Sequence, residues 1–215
     1  MTDPKTLRNM LRVYFIAGST NCKHDVVEVV EEAIRGGITL FQFREKGKDA
    51  AVGQEKMQLA KRIQALCKEN HIPFIVNDDV DLALAIDADG VHIGQKDEDA
   101  KHVRKRIGDK ILGVSVHSLD DAHLAIANGA DYFGVGPIFP TQSKDDAEPV
   151  RGTEVIEIIR KNGLDTPIVG IGGIHAGNAD EVMAAGADGV SVISAISLAD
   201  SSYEAAKQLA EAVKK

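Results

Sequence analysis

Three basic side chains of this sequence stand shortly after runs of β-forming residues. Arg44 and Lys46 follow the run 39–43, and Lys144 lies in the stretch that follows the run 132–135. Three cations on two loops can surround a highly charged anion such as a diphosphate. A solvated charged face is the alternative for any one of them, but their shared location favours a binding role.

Two carboxylates occupy equivalent positions after neighbouring runs. Asp78 follows the run 74–76 and Asp97 follows 90–93, so both can reach one cation. Oxygen ligands completed by diphosphate oxygens and waters suit Mg²⁺ better than Zn²⁺, which prefers Cys and His. Asp79 can instead cap the helix that follows it. The spacing therefore favours a Mg²⁺ site on Asp78 and Asp97.

Glycine and serine follow the last two runs of β-forming residues. Gly172 and Gly173 come at the end of 168–171, and Ser194 comes after 189–193. Turns of such residues hold a phosphate through backbone N–H groups and a helix N-terminus. A tight turn without a ligand is the alternative for the two glycines. Their position near the end of the chain favours the phosphate.

Two histidines are candidate acid–base groups. His92 lies within a β-forming run and His117 lies just beyond one, so either can serve as a general base. A hydrogen-bonded structural histidine is the alternative for both. The sequence has no evident Ser/His/Asp or Cys/His set, which points to electrostatic handling of a leaving group rather than covalent catalysis.

The elements that must position these residues alternate along the chain. Runs of β-forming residues are separated by stretches with 3.6-residue periodicity, and such spacing implies parallel strands joined by right-handed helical crossovers. Eight units predict an α/β fold of the (β/α)₈ barrel class, the TIM barrel. The predicted strands are 13–16, 39–43, 74–76, 90–93, 111–115, 132–135, 168–171 and 189–193. The predicted helices are 25–35, 51–69, 80–86, 98–107, 119–127, 153–161, 179–185 and 203–213.

A repeated motif separates the structural end of this barrel from its chemical end. Asp89, Asp131 and Asp188 each follow a small residue at a helix end and precede a strand. Turns from helix to strand lie on the stability face of a barrel, whereas loops from strand to helix carry the site. We therefore predict structural roles for these three carboxylates and expect the chemistry at the opposite end.

Composition limits the class of protein. The 215 residues suit one domain, 1–215, with a short N-terminal extension at 1–11. A net charge of -8 argues against nucleic-acid or membrane-surface binding, and no apolar run is long enough to span a bilayer. Cys22 and Cys67 form no disulfide framework, and Cys67 fits the apolar face of a helix. We predict a cytoplasmic protein and leave a homo-oligomer open.

Seven segments of the sequence recur in one known family in the same order and with the same spacing. They are QFREKG at 42–47, NDD at 77–79, DGVHIGQ at 89–95, GVS at 113–115, GPIFPT at 136–141 with Lys144, VGIGGI at 169–174 and GVSVISAI at 189–196. Over almost the whole chain, from Val13 to Ala195, the sequence thus resembles the thiamine-phosphate synthases, also called thiamine-phosphate pyrophosphorylases. Seven collinear motifs are highly specific.

The resemblance implies a reaction and a role for each site residue. Members of the family join a hydroxymethylpyrimidine diphosphate to a thiazole phosphate and release diphosphate. Gln42 would contact the pyrimidine, and Mg²⁺ would be held by Asp78 and Asp97. The diphosphate would be held by Arg44, Lys46, Asn77, Ser115 and Lys144, of which Lys144, Arg44 and Ser115 would be catalytic. The thiazole phosphate would be held by Thr141, Ser143, Gly173, Ile193 and Ser194, with Gly173 and Ile193 acting through backbone N–H groups.

The mechanism that the resemblance implies is dissociative. Diphosphate leaves first, a pyrimidine-stabilised carbocation forms, and the thiazole nitrogen attacks it, so no strong base is required. Ser143 departs from the family pattern, which often has Thr there, but it retains a hydroxyl. The acidic stretch 145–148 would form a loop that could close over the substrates.

Other functions of such a barrel fit this sequence less well. A sugar-phosphate isomerase or epimerase would need an acid–base pair and no clamp for a second anion. A thiazole tautomerase or a regulatory barrel of the same superfamily would keep the thiazole-phosphate site and lose the diphosphate and metal residues. The set Arg44, Lys46, Asn77, Asp78, Asp97 and Lys144 is complete here, which favours the synthase.

Overall fold

Eight parallel strands form a closed barrel in the computed structural model, which describes residues 3–141, 143 and 149–214. Each strand pairs with its sequence neighbours, and the last strand pairs with the first through Tyr14 and Ser191. The predicted (β/α)₈ class is therefore confirmed. The strands are β1 (Val13–Ala17), β2 (Leu40–Phe43), β3 (Phe74–Asn77), β4 (Gly90–Ile93), β5 (Ile111–Val116), β6 (Tyr132–Val135), β7 (Ile168–Ile171) and β8 (Gly189–Val192).

Helices surround the barrel at the predicted places, with ends displaced by at most two residues. Two further helices, α1 and α9, were not predicted. The α-helices of the described chain are α1 (Pro4–Leu11), α2 (Val26–Gly36), α3 (Gly53–Glu69), α4 (Val80–Ala85), α5 (Ala100–Ile107), α6 (Leu119–Ala127), α7 (Glu154–Lys161), α8 (Ala179–Ala184), α9 (Ser194–Ser197) and α10 (Ser202–Ala212). None of them is long and apolar enough to cross a membrane.

Side-chain caps fix where several helices begin. The carboxylate of Asp25 accepts from backbone N–H groups of α2, and Ser118 does the same for α6. Asp79 accepts from the N–H of Leu82 at 2.9 Å, so its predicted role as the cap of α4 is confirmed. Such caps replace hydrogen bonds that the first turn of a helix cannot make internally.

Two apolar layers follow from the alternation of side chains along each strand. Val13, Phe15 and Ala17 face outward and join the helices in one core cluster. Tyr14 and Ile16 face inward, where they pack with residues of the other strands. A barrel of this size is filled by side chains rather than open, so the interior layer is a second core.

The N-terminal extension closes the bottom of the barrel. Leu7 and Leu11 of α1 are fully buried and belong to the interior cluster. Asp3 caps the helix, and Pro4 occupies a first-turn position, where its missing N–H costs nothing. The assignment of residues 1–215 to one domain stays a prediction.

The repeated carboxylates before the strands have the structural role that was predicted. Asp89, Asp131 and Asp188 each accept from a backbone N–H at the start of a neighbouring strand, at 2.7 Å from Phe74, 2.8 Å from Leu112 and 2.8 Å from Ile168. Arg104 and Arg160 pair with Asp131 and Asp188 at 2.5 and 2.8 Å. These contacts tie neighbouring strands together at the end of the barrel where the strands begin.

The cysteines behave as predicted. Cys67 is fully buried in the outer core, where burial raises the pKa of its thiol to about 12. Neither Cys67 nor the half-buried Cys22 forms a disulfide. A buried thiol with a raised pKa is a packing residue rather than a nucleophile.

Candidate active site

One cavity of about 360 Å³ opens at the carboxyl ends of the strands and is lined by the residues that follow β2 through β8. Seven loops that follow strands therefore face one cleft, at the end of the barrel where the chemistry was expected. Predicted site residues in its lining are Arg44, Lys46, Asn77, Asp78, Asp97, Ser115, Thr141, Ser143, Gly173, Ile193 and Ser194. Lys144 and the acidic stretch 145–148 that follows it lie outside the described residues.

Gln42 differs from the other predicted residues. Its side chain is 1% exposed and does not line the cavity; it lies in the barrel interior and donates a hydrogen bond to the hydroxyl of Tyr14 at 2.6 Å. Gln42 is thus beneath the floor of the cavity, next to inward-facing aromatic residues.

Asp78 and Asp97 lie side by side, as the barrel model required. The two carboxyl groups are within hydrogen-bonding reach, and the Lys46 ammonium contacts Asp78. Burial and the neighbouring Asp97 raise the pKa of Asp78, while Lys46 opposes them. Asp97 also accepts from the N–H of Gly94 at 2.7 Å. Two adjacent carboxylates repel each other unless a cation lies nearby, and a divalent ion bound between them can supply that charge.

The two carboxylates of Asp78 and Asp97 suit Mg²⁺ that is also bound by a substrate, and they are too few to hold a metal ion by themselves. The described residues contain no group of three or more His, Cys, Asp and Glu side chains that could hold an ion. Mg²⁺ commonly takes one or two carboxylates and completes its octahedron with phosphate oxygens and waters. Asp79 is unavailable, because it caps α4 and pairs with Lys56 at 2.7 Å.

Hydroxyl groups and glycines line the other end of the cavity. Ser143 donates to the hydroxyl of Ser194 at 2.9 Å, and the N–H of Ser143 approaches Thr141 at 3.2 Å. Gly172 and Gly173 have φ of 101° and 65°, so both need the left-handed region. Both glycines therefore form a turn whose backbone faces the same cavity, and their phosphate-binding role stays a prediction.

Both histidines are hydrogen bonded to neighbouring groups of the barrel. His92 Nε2 is 2.9 Å from the Ser115 hydroxyl, and Nδ1 is 3.0 Å from Tyr132. His117 Nδ1 lies 3.1 Å from the carbonyl oxygen of Gly136 and donates to it. Within the described residues no Ser/His/Asp or Cys/His set is assembled, and electrostatic handling of the leaving group stays a prediction.

Several cavity residues were not predicted as site residues. Gln95 donates to the carbonyl oxygen of Ser115 at 2.6 Å, and Lys96 and His175 also line the cavity. Their places directly after β4 and β7 were the available signal. Ser191 gave no signal, because a serine inside a strand is ordinary; its hydroxyl is buried and has no partner among the described residues.

Comparisons with known proteins agree with this geometry. The profile of the family described as thiamine monophosphate synthase matches residues 13–196. A thiamine-phosphate synthase of Bacillus cereus is 57% identical over 209 residues, which cover 97% of this chain and 93% of the relative. One from Bacillus thuringiensis is 58% identical over 96% of this chain and 94% of the relative. The solved thiamine phosphate pyrophosphorylase of Pyrococcus furiosus superposes with a TM-score of 0.86 at 38% identity, covering 97% of this chain and 98% of that one.

Proposed function

This chain belongs to the thiamine monophosphate synthase family and forms thiamine phosphate as a transferase, and from that premise we propose how its cavity performs the reaction. The observation that carries the proposal is a cavity with two different ends. Basic and acidic side chains surround one end, and hydroxyls and glycine backbone line the other. Two anionic substrates need two such sites.

The diphosphate of the pyrimidine substrate binds at the charged end. Arg44, Lys46, Asn77 and Ser115 line it. From its place in the sequence, we propose that Lys144 also contacts the diphosphate. Lys46 contacts Asp78 in the free protein, so it turns from that carboxylate to the anion when substrate binds. Fixed cations and donors aimed at growing negative charge lower the barrier to departure of the diphosphate.

Asp78 and Asp97 would hold Mg²⁺, which would neutralise part of the charge on the diphosphate and so make it a better leaving group. The fold keeps the two carboxylates adjacent. The neighbouring Asp79 would not bind the metal, because its side chain caps α4 and pairs with Lys56.

The thiazole phosphate binds at the opposite end. Thr141, Ser143 and Ser194 offer hydroxyl groups, and Gly173 and Ile193 offer backbone N–H groups beside the short helix α9. In barrels of this class the turns after the seventh and eighth strands are a common phosphate site. The two anions are then held on opposite sides of the reacting carbon and nitrogen.

Bond breaking precedes bond making in the proposed mechanism. Diphosphate departs, the pyrimidine stabilises the carbocation, and the thiazole nitrogen attacks it. The chain orients the two substrates and excludes water, and the mechanism needs no base. This fits His92, whose two ring nitrogens are both hydrogen bonded, and His117, whose Nδ1 donates to a carbonyl oxygen. Contact of the pyrimidine with Gln42 requires the ring to reach the cavity floor.

One assay tests this proposal. The protein is mixed with both phosphorylated precursors with and without Mg²⁺, and we expect thiamine phosphate and diphosphate in equal amounts only with the metal. Isomerised thiazole phosphate without condensation would instead indicate a tautomerase. The cytoplasmic location and a homo-oligomer, both left from the sequence, stay predictions.

A further inference from the structure

A line of polar side chains crosses the barrel interior beneath the cavity. Gln42 donates to the hydroxyl of Tyr14 at 2.6 Å, and Tyr14 lies 2.8 Å from the hydroxyl of Tyr132. Tyr132 contacts His92 Nδ1 at 3.0 Å, and His92 Nε2 contacts the Ser115 hydroxyl at 2.9 Å. The line begins at a buried amide and ends at a residue that lines the cavity.

Such a line of polar side chains is unusual in the interior of a barrel of this class. The five residues come from β1, β2, β4, β5 and β6 and all occupy inward-facing positions, which Val, Ile and Leu usually fill in such barrels. Tyr14 and Tyr132 are fully buried, and burial raises the pKa of both hydroxyls, so they remain neutral donors. Buried polar groups are costly unless every member is hydrogen bonded, as these are.

Two glycines make room for the line. A Cβ at Gly113 would lie 2.5 Å from His92 Nδ1, and a Cβ at Gly134 would lie 2.9 Å from His92 Cε1. Both distances are shorter than real Cβ contacts. Strands β5 and β6 therefore lack side chains at the points that the imidazole occupies.

The hydrogen bonds can run in only one direction once the amide is fixed. The Tyr14 oxygen accepts from Gln42, so the Tyr14 proton must go to Tyr132. The Tyr132 proton must then go to His92 Nδ1, which leaves the proton of the neutral ring on Nε2. An imidazolium would place two donors against each other somewhere along the line.

We propose that His92 is a positioning residue for Ser115. The line from Gln42 holds the ring as the neutral Nε2–H tautomer, and this N–H donates to the Ser115 oxygen. The hydroxyl proton of Ser115 is thereby left to point into the cavity as a donor. The inference deepens the proposed function and rests on it, because there the Ser115 hydroxyl serves the departing diphosphate.

The opposite direction would have the opposite effect. If the amide of Gln42 were turned, every bond in the line would reverse, and His92 Nε2 would accept the proton of Ser115. Ser115 would then have no proton for an anion. The state of one buried amide thus decides whether a cavity hydroxyl can act as a donor.

Nuclear magnetic resonance of the substrate-free protein tests the direction without reference to the reaction. With ¹⁵N-labelled histidine, and His92→Gln to assign the ring, we expect a bare Nδ1 and a protonated Nε2. A protonated Nδ1 would overturn the proposal. Because no substrate is present, this result is independent of whether the proposed function is right.

Kinetics test the consequence. Tyr132→Phe keeps the shape of the ring and removes the bond to Nδ1, and we expect kcat to fall about tenfold, the worth of one buried hydrogen bond. The KM for thiazole phosphate should not change. In a Ser115→Ala background the same substitution should cost nothing more, because residues serving one function are not additive.

Thr39→Val is the matched control for lost stability. Its hydroxyl donates to the carbonyl oxygen of Met10 at 2.8 Å at the other end of the barrel, so we expect a lower Tm with wild-type kcat. Wild-type kcat in Tyr132→Phe, or an equal further loss in the Ser115→Ala background, would overturn the proposal. Absence of thiamine phosphate from the wild type would count against the proposed function instead, and the tautomer would still decide the inference.

Discussion

Ser191 is a residue whose environment predicts two separate effects. Its hydroxyl is buried in the cavity lining without a partner among the described residues, and the hydroxyl of Ser197 is equally buried but away from the cavity. An unsatisfied buried hydroxyl costs about 1–3 kcal/mol. We expect Ser191→Ala and Ser197→Ala both to keep or raise the free energy of unfolding, measured in urea.

Activity should separate the two serines. Only Ser191 faces the space that substrates fill, so we expect its alanine variant alone to lose activity. Steady-state assays of both variants check this. Equal activity of the two would mean that no substrate group satisfies the Ser191 hydroxyl.

Lys144 is placed in the mechanism by its position in the sequence, since it lies outside the described residues. We expect Lys144→Ala to lower kcat about 10²- to 10³-fold, because one preorganised contact to growing charge is removed. The Tm should not change. Lys61→Ala, on the exposed side of α3, is the control and should retain full activity. A Lys144→Ala variant with normal kcat would remove this lysine from the mechanism.

Charged residues that follow strands were easier to predict from the sequence than polar residues buried inside the barrel. Arg44, Asp78 and Asp97 could be found because charged side chains directly after strands have few structural reasons to be there. Tyr14 and Tyr132 lie inside strands, where an aromatic residue indicates core packing. Their hydroxyls meet only because β1 and β6 face each other across the barrel, and periodicity carries no such information.

Elements were predicted well where their pattern was long or repeated. The eight strands were found because their runs recur with helical stretches between them, and Asp131 and Asp188 mark two of the turns. α1 was described only as an extension, although Asp3 and Pro4 form a usable start signal. Two turns of helix give too few apolar positions to establish a period.

The loop after β7 packs closely against the loop after β6 at Gly173. A Cβ at Gly173 would lie 2.6 Å from the carbonyl oxygen of Pro140 and 2.8 Å from the Cβ of Phe139, so alanine must push this loop away from the one that follows β6. We expect Gly173→Ala to raise the KM for thiazole phosphate more than the KM for the pyrimidine diphosphate. Steady-state titrations of each substrate measure the two values.

Gly163 is the matched control for backbone strain. Its φ is 76°, close to the 65° of Gly173, but nothing lies within 4 Å of an added Cβ. We expect Gly163→Ala to lose about 1 kcal/mol of stability with unchanged KM values. If the two variants behave alike, strain rather than loop displacement accounts for the effect at Gly173.

Closure of the barrel is what brings the two proposed metal ligands together. Asp78 follows β3 and Asp97 follows β4, and these strands pair through Asn77 and His92. The register fixes how far each carboxylate reaches. The proximity that the sequence predicted therefore depends on the whole sheet rather than on either loop.

The two carboxylates are best tested by asparagine rather than alanine. Asp78 has φ of 61°, a left-handed conformation that asparagine tolerates, and an amide oxygen at position 97 can still accept from the N–H of Gly94. If both residues hold one Mg²⁺, each single variant should lose most metal-dependent activity. The double variant should then be little worse than either, because the loss of one shared function is not additive.

In the absence of metal, Asp78→Asn should keep or gain thermal stability although it loses activity. Burial and Asp97 raise the pKa of Asp78 in the folded protein, so the protonated form is favoured there, and the stability this gives is lost as the pH rises through that pKa. At neutral pH the ionised carboxylate therefore costs stability, which Asp78→Asn relieves. The lost pair with the partly exposed Lys46 offsets little of this. We expect the Tm of Asp78→Asn in EDTA at neutral pH to equal or exceed that of the wild type, while its Mg²⁺-dependent activity is lost. A lower Tm, together with multiplicative losses of activity and an unchanged Mg²⁺ requirement, would show that the two carboxylates do not form one metal site.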